Sequence, residues 1–533
     1  MPLPARRPAA RRSFAAIAVA SALTLTACAG GQGKSHTNGG AASSASPRPG
    51  GSLTISVVSD LNTADPFGAA GNQAIDSTRM NALYDSLLWS EPGTGKAIPQ
   101  IAVSLVPDPG AAGWTLKLRP GVTFTDGTPY DAAAVKWTWD EHKNPERRSL
   151  AAGAAQAIRA TTVVDPTTLK VDLVAPNAQF DRVVATSLSF IPSPTAFRKD
   201  PQAFKTHPVG AGPFTLTDWT RGSAMTVQKN PKYWQGPEHP YLDKITFQLI
   251  GDSEQSLNAA ASGQVDAKVS VSAVDGAKAR AKGLNVVQVS GITGESIMFN
   301  NAKPPFDDVR ARRAVALALN PEDINKVAFG GQGTAARGMF PDGSALVAPG
   351  VNTNPPGDRT EAQRLLDELA AEGKPLDFAF TIPQNPQANR TAEYIQTQLS
   401  TLKNISVRLE PLQVAAFVTA IRTNRTFQAS LQNWLLSDPE PSMYAYLQST
   451  SVSNYLGYKN PAADAALERG RIAADPFQRQ AAYTDLARLV QADVPAWTYQ
   501  QGFVTAYFRN GVAGVLLTND GMLMTDRIGR AAG

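Results

Sequence analysis

The chain of 533 residues contains a single cysteine, Cys28, so no disulfide can form within it. Histidine is nearly as scarce. His36, His142, His207 and His239 stand alone, at none of the spacings that gather metal ligands, so neither a protein-built metal site nor a cofactor is expected. No Gly-x-Ser-x-Gly elbow and no His-Glu-x-x-His occurs, which removes two common hydrolase signatures. After Cys28 no apolar run approaches the roughly eighteen residues that a membrane-spanning helix needs. Excess positive charge is also largely missing. Four of the arginines lie in the segment 1–27, and losing them takes the formal charge from +5 to +1. No nucleic-acid partner is inferred from so small a balance.

What is present begins at the amino terminus. Arg6, Arg7, Arg11 and Arg12 form a positive head, and 15–23 is short and apolar. Leu25-Thr26-Ala27-Cys28 then resembles the lipobox of bacterial lipoproteins. Basic, apolar and small residues in that order form an export signal. The resemblance implies cleavage before Cys28, diacylglycerol on its thiol, and a lipid anchor on the outer face of the cytoplasmic membrane. Arg11-Arg12-Ser13-Phe14 also resembles a twin-arginine export signal. An incidental cysteine after an ordinary signal is the plainer alternative. From 28 to 51 the chain is mostly Gly, Ser, Ala, Asn and Pro, the composition of a flexible linker. Gly33-Lys34-Ser35 within it imitates a phosphate-binding loop, but that motif needs glycine where Cys28 stands.

Ordered structure is expected from Ser52. Leu53, Ile55 and Val57 alternate with polar residues as in a half-buried strand. Trp114, Leu116 and Leu118 alternate again, Pro120-Gly121 reads as a turn, and Val122 and Phe124 predict the second arm of a hairpin. Asp131 is placed to cap a helix carrying Val135 and Trp139. Further on the texture is α/β. The alternation Leu376, Phe378, Phe380, Ile382 is followed by a helical stripe of Ile395, Leu399 and Leu402, then by Ile405, Val407 and Leu409. That is a βαβ unit. Ala362, Leu365, Leu366 and Leu369 make another stripe ended by Gly373. Asn320-Pro321 opens a helix that Gly330-Gly331 closes. Ala482, Leu486, Leu489 and Val490 form a late stripe. All of these read as core.

Several segments, taken in order, resemble the family 5 extracellular solute-binding proteins, the peptide, opine and nickel class that feeds ATP-binding-cassette importers. They are Leu118-Arg119-Pro120-Gly121-Val122-Thr123-Phe124 with Asp126-Gly127-Thr128-Pro129; Val209-Gly210-Ala211-Gly212-Pro213-Phe214; Asn230-Pro231-Lys232-Tyr233-Trp234; Gly263-Gln264-Val265-Asp266; Phe299-Asn300 with Pro304-Pro305-Phe306; and Asn454-Tyr455, Gly457-Tyr458 and Asn460-Pro461. The resemblance implies an α/β fold, a two-lobed periplasmic-binding-protein-like clamp (type II-like) with an additional inserted subdomain. Lobe one would hold 52–89, 207–292 and 500–533, the inserted subdomain 90–206, and lobe two 293–499. It also implies a monomer that is not an enzyme. Its partners would be a small solute, most simply an oligopeptide, and the permease and ATPase of an importer. A neutral oligosaccharide is the alternative solute. A surface lipoprotein hydrolase and a non-transport receptor are the alternatives of another class.

The resemblance further implies a cleft segment at Trp434-Leu435-Leu436-Ser437-Asp438-Pro439-Glu440-Pro441. In peptide binders of the family an acid three residues after the tryptophan takes the peptide's ammonium. Ser437 stands there and cannot neutralise a cation, while Asp438 follows one place later. Trp434 is expected as an aromatic cleft wall and Arg422 as a receiver of carboxylate. Asn62, Asp65, Tyr84, Asn300, Asn454 and Tyr458 lie in segments that would rim the cleft.

Overall fold

The computed structural model describes residues 46–69, 74–434, 436 and 438–532. The expected signal and lipobox with Cys28, and Ser437 of the expected cleft segment, lie outside the described residues.

Alternating sequence becomes strand throughout. A ten-stranded mixed sheet has the order Ile405–Leu412, Leu376–Pro383, Ala429–Asn433, Asn285–Phe299, Ala496–Phe508, Ala267–Ser270, Ser52–Val57, Lys244–Leu249, Ala224–Lys229, Phe214–Thr220. The expected βαβ unit is its far edge: Leu376–Pro383 pairs in parallel with Ile405–Leu412, and Pro386–Leu399 is the crossover helix. Helix starts follow their capping residues. Asp131 accepts from Ala134 N at 2.9 Å and Asn320 from Glu322 N at 2.9 Å, satisfying donors that the first turn leaves open.

Two bodies of core lie under this sheet. The first gathers Leu53, Phe214, Phe247, Val287 and Val504. The second gathers Ile297, Phe306, Phe378, Leu399 and Trp497, with a companion cluster around Trp434, Tyr455 and Leu486. Burying each large side chain of this kind contributes roughly 1.5–3 kcal/mol. A further core of Trp114, Trp139 and Phe180 fills a separate four-stranded sheet, ordered Ala102–Pro107, Gly113–Leu118, Thr168–Leu173, Ile158–Asp165. The fold is thus a two-lobed clamp with an inserted subdomain.

Two long strands join the lobes. Asn285–Phe299 and Ala496–Phe508 pair antiparallel, with one end of each in the first core and the other end in the second. Their register slips between Ser290 and Gly294, where the ladder passes from one lobe to the other. Thr293 has φ 65 there, and a Cβ on Gly294 would lie 2.1 Å from Gln500 O, so only glycine allows the strands to cross this closely.

The motif residues hold this scaffold together. Asp85 Oδ2 accepts from Tyr233 OH at 2.7 Å and Trp234 Nε1 at 2.8 Å, and the Arg119 guanidinium stacks 4.7 Å over Trp234. Asn230 Nδ2 donates to Gly212 O at 2.9 Å. Asp266 binds Arg530 Nη1 at 2.8 Å and Arg509 Nη1 at 3.3 Å.

Two expectations change. Val122 and Phe124 do not form the second arm of a hairpin. Their segment closes on itself through Phe124 N to Thr128 O and Tyr130 N to Val122 O, and buries both side chains, with Phe124 against Tyr130 at 5.0 Å. The strand Gly113–Leu118 instead pairs with Ala102–Pro107 and Thr168–Leu173. The linker expected over 28–51 includes Pro47–Arg48, which forms a strand against Gly529–Ala531.

Candidate functional site

A cavity of about 410 Å³ opens between the lobes. The second lobe contributes Arg422, Asn433, Trp434, Leu436 and Tyr446. The first contributes Ala69, Ile75, Val504 and Asp520, and the inserted subdomain adds His142, Leu150, Thr186 and Phe190. Its walls mix polar and apolar surface about evenly. Leu150 is 69% exposed and Ile75 41%, so large aliphatic groups face the opening where water would otherwise touch them. A cavity of this size lies near the small end of the range for ligand pockets.

Trp434 follows the strand Ala429–Asn433 and is pinned by its own N–H, which donates to Gly294 O at 2.7 Å. Its ring meets Tyr446 edge-on at 5.6 Å, and Tyr446 meets Tyr455 at 5.5 Å. Trp434 is only 4% exposed, and its Nε1 has no hydrogen-bond partner among the described residues. It is therefore both wall and core. Arg422 sits in the single turn Thr419–Thr423, anchored by the buried Ile421 beside it. Arg422 is exposed and makes no hydrogen bond or ion pair with any described residue. Its planar fork is suited to a carboxylate.

Asp438 does not line the cavity, and its carboxylate is already committed. Oδ2 accepts from Arg182 Nη1 at 2.9 Å, Oδ1 from Arg479 Nη2 at 2.5 Å, and Oδ1 also caps Glu440 N at 3.0 Å. An acid held between two guanidiniums is fully compensated, so it is not available to an incoming ammonium. Around it the inserted subdomain and the second lobe are laced together. Asn177 Nδ2 donates to Glu440 Oε1 at 3.3 Å, and Gln179 Nε2 to Ala473 O at 2.8 Å. Burial pushes the Glu440 carboxyl up to about 7.

Six other expected residues are not brought to this cavity; five have their side-chain polar groups engaged elsewhere, and Asn62 lies on the surface. Asn62 is exposed and offers only its backbone O, to Arg221. Asp65 Oδ1 accepts from Phe67 N at 3.0 Å, and Tyr84 OH donates to Ala64 O at 2.7 Å. Asn300 Nδ2 donates to Phe427 O at 2.9 Å. Asn454 Nδ2 donates to Tyr458 O at 2.8 Å, and Tyr458 OH to Asp493 Oδ2 at 2.7 Å. These five are buried supports of the fold.

Sequence reasoning missed Tyr446, Asn433 and Asp520. Thr518-Asn519-Asp520-Gly521 carries a turn signal, and Gly521 does adopt φ 88. Nothing in the linear order sets that turn beside Trp434. The Asp520 carboxyl is oriented by Ser90 Oγ at 2.5 Å and Thr518 Oγ1 at 2.6 Å, both donating to Oδ1. Burial pushes it up to about 6. No group of three or more potential metal ligands occurs among the described residues, and no helix among them is long and apolar enough to cross a membrane.

Comparison with known proteins agrees with this geometry. A family model described as "Bacterial extracellular solute-binding proteins, family 5 Middle" matches residues 96–455. The glutathione-binding protein GsiB of Salmonella paratyphi A is 30% identical over 353 residues, covering 65% of this chain and 67% of the relative. The structure of the PBP AgaA from A. tumefaciens R10 in complex with agropinic acid superposes with a TM-score of 0.77 at 24% identity, over 91% of this chain and 99% of that one. A dipeptide-binding protein of Pseudoalteromonas sp. SM9913 in complex with Met-Leu gives 0.76 at 21% identity, over 90% and 100%. With the matching model spanning most of its length and a two-lobed body around a shared cavity, the chain belongs to the family 5 extracellular solute-binding proteins of ATP-binding-cassette importers.

Proposed function

We propose that this protein captures a short peptide between its lobes and delivers it to the permease of an importer. The observation that carries the reading is the cavity itself: Trp434 and Tyr446 supply an aromatic wall from the second lobe, Ile75 and Leu150 supply an aliphatic one opposite, and the unpaired Arg422 guanidinium borders it. A ligand that stacks, buries apolar side chains and ends in a carboxylate fits these walls. Glutathione, which GsiB is named for binding, and Met-Leu, held by the Pseudoalteromonas protein, are small, peptide-bonded and carboxylate-bearing. A neutral oligosaccharide would leave the guanidinium unmatched.

Closure would move 293–499 against 52–89, 207–292 and 500–533, with 90–206 inserted in the first lobe. The separate cores on either side of the strand crossing at Ser290–Gly294 support that division. Hinge closure around ligand is the usual motion of such clamps. The cavity walls supply stacking and charge, and binding without turnover is the expected chemistry. The test is calorimetry on protein stripped of solute by unfolding and refolding, titrated with Ala-Leu-Ala and with maltotriose, with small-angle scattering at saturation. The tripeptide should bind, reduce the radius of gyration and be recovered intact. Binding of maltotriose alone, or release of free amino acids, would overturn the reading.

The same reading includes export and anchoring through Cys28. A Cys28→Ser chain should leave the membrane fraction, because a diacylated cysteine is a firm anchor and no other is proposed. Retention in membranes washed with high salt and carbonate would contradict it.

A further inference from the structure

We propose that Asp520, on the first lobe, is the subsite for the ligand's cationic group, in place of an acid after Trp434. The inference rests on the cavity being the solute site and deepens that reading. Asp520 lines the cavity. Its Oδ1 is held by the hydroxyls of Ser90 and Thr518, which fix the plane of the carboxyl group. Its Oδ2 is buried and has no hydrogen-bond partner among the described residues. No lysine or arginine forms an ion pair with it among the described residues, whereas the other acid near this cleft, Asp438, has two.

A carboxylate with one oxygen saturated and the other bare is an incomplete arrangement in a buried setting. It is completed by a desolvated N–H donor of positive charge. The turn that carries it is not free to swing away, since Thr518 Oγ1 also accepts from Met522 N at 2.9 Å and Leu523 N is held by Thr78 Oγ1 at 3.1 Å. Arg422 stands on the second lobe with the complementary charge and makes no hydrogen bond or ion pair with any described residue. One acid on one lobe and one guanidinium on the other select a zwitterion long enough to touch both. Such a ligand rewards closure, because each end gains its counter-charge only when both lobes are engaged.

The test compares Ala-Leu-Ala with its N-acetylated form, by calorimetry, on the parent protein and on Asp520→Asn. The variant is isosteric, and the Ser90 and Thr518 hydroxyls can still donate to its amide oxygen. The parent should prefer the free amine, and Asp520→Asn should weaken binding of the free tripeptide by roughly ten- to a hundredfold while leaving the acetylated form unchanged, so that the preference disappears. An unchanged preference would overturn the proposal. Ser90→Ala, which removes one orienting hydroxyl, should show a smaller loss in the same direction, and it carries the comparison if Asp520→Asn does not fold. If the parent binds neither tripeptide, the peptide reading fails by itself, and cadaverine then decides the subsite by thermal shift. A stabilisation by cadaverine that Asp520→Asn abolishes supports the assignment; an equal shift in both proteins, or none in either, overturns it.

Discussion

Arg182 Nη1 lies 2.9 Å from Asp438 Oδ2, joining the inserted subdomain to the second lobe through side chains only 16% and 5% exposed. Arg479 completes the set from within the second lobe. The pair is separated by 256 positions in sequence and buried where salt screens it little.

Removing each member should therefore have a different effect. Arg182→Ala leaves Asp438 with Arg479 and should chiefly loosen the contact between subdomain and lobe, raising the radius of gyration of the unliganded protein and weakening solute binding. Asp438→Asn leaves two guanidiniums facing each other and should lower stability by about 3–5 kcal/mol. Denaturant melts and scattering on both variants check this. Equal, small losses would show that the contact is incidental.

Acidity should stabilise the protein. Burial pushes Glu295 and Glu440 up to about 7 and Asp520 up to about 6, and burial together with the neighbouring Asp526 raises Asp85. Each binds its proton more tightly folded than unfolded, so the folded state holds more protons between roughly pH 4 and 7, and stability falls as pH rises through that window. Below it, carboxylates lowered by arginines, such as Glu372 at about 2 beside Arg310, reverse the trend. The melting temperature should peak near pH 4–5 and decline toward pH 8. Glu440→Gln should flatten the slope. A maximum above pH 7 would refute the account.

Trp434 should show a double penalty. At 4% exposure it is as buried as a core tryptophan, so Trp434→Ala should cost about 3–5 kcal/mol of stability as well as affinity. Trp434→Phe keeps an aromatic ring against Tyr446 and loses the unpartnered Nε1 donor. It should melt within a few degrees of the parent and still bind more weakly. Calorimetry and thermal unfolding separate the two contributions.

Gly210 and Gly212 should not tolerate alanine. A Cβ on Gly210 would lie 2.2 Å from Leu83 O, and one on Gly212 2.4 Å from Ala82 O, against the end of the helix Ser77–Tyr84. Backbone cannot yield as a side chain does, so either substitution should cost roughly 1–3 kcal/mol or more. Gly222→Ala, on an open surface turn with φ 72, provides a milder control.

These contrasts explain what could be read from the linear chain. Alternation at Leu376–Ile382 and the caps at Asp131 and Asn320 predict their elements because local patterning decides them. The ordered motifs identify the family because Tyr233, Trp234 and Asn230 build the scaffold about Asp85 and Gly212. The same fact misleads about the site. Asn300, Asn454 and Tyr458 belong to recognisable motifs, and their side chains serve the backbone. Asp520 belongs to no motif, and its place in one cavity with Trp434 follows from the sheet order, where Ala496–Phe508 returns the chain to the first lobe.

The short strand Pro47–Arg48 has a mechanical consequence. It pairs with Gly529–Ala531, and Arg530 of that strand grips Ser52 O at 2.7 Å and Asp266 Oδ1 at 2.8 Å. A pull on the amino-terminal segment is received there and spread into the first lobe's sheet through Ser52–Val57. From Ser52–Val57 the load passes to Lys244–Leu249 on one side and to Ala267–Ser270 on the other, and Ala267–Ser270 is paired with the interlobe strand Ala496–Phe508, so tension on the amino-terminal side enters the first lobe next to the strands that join it to the second.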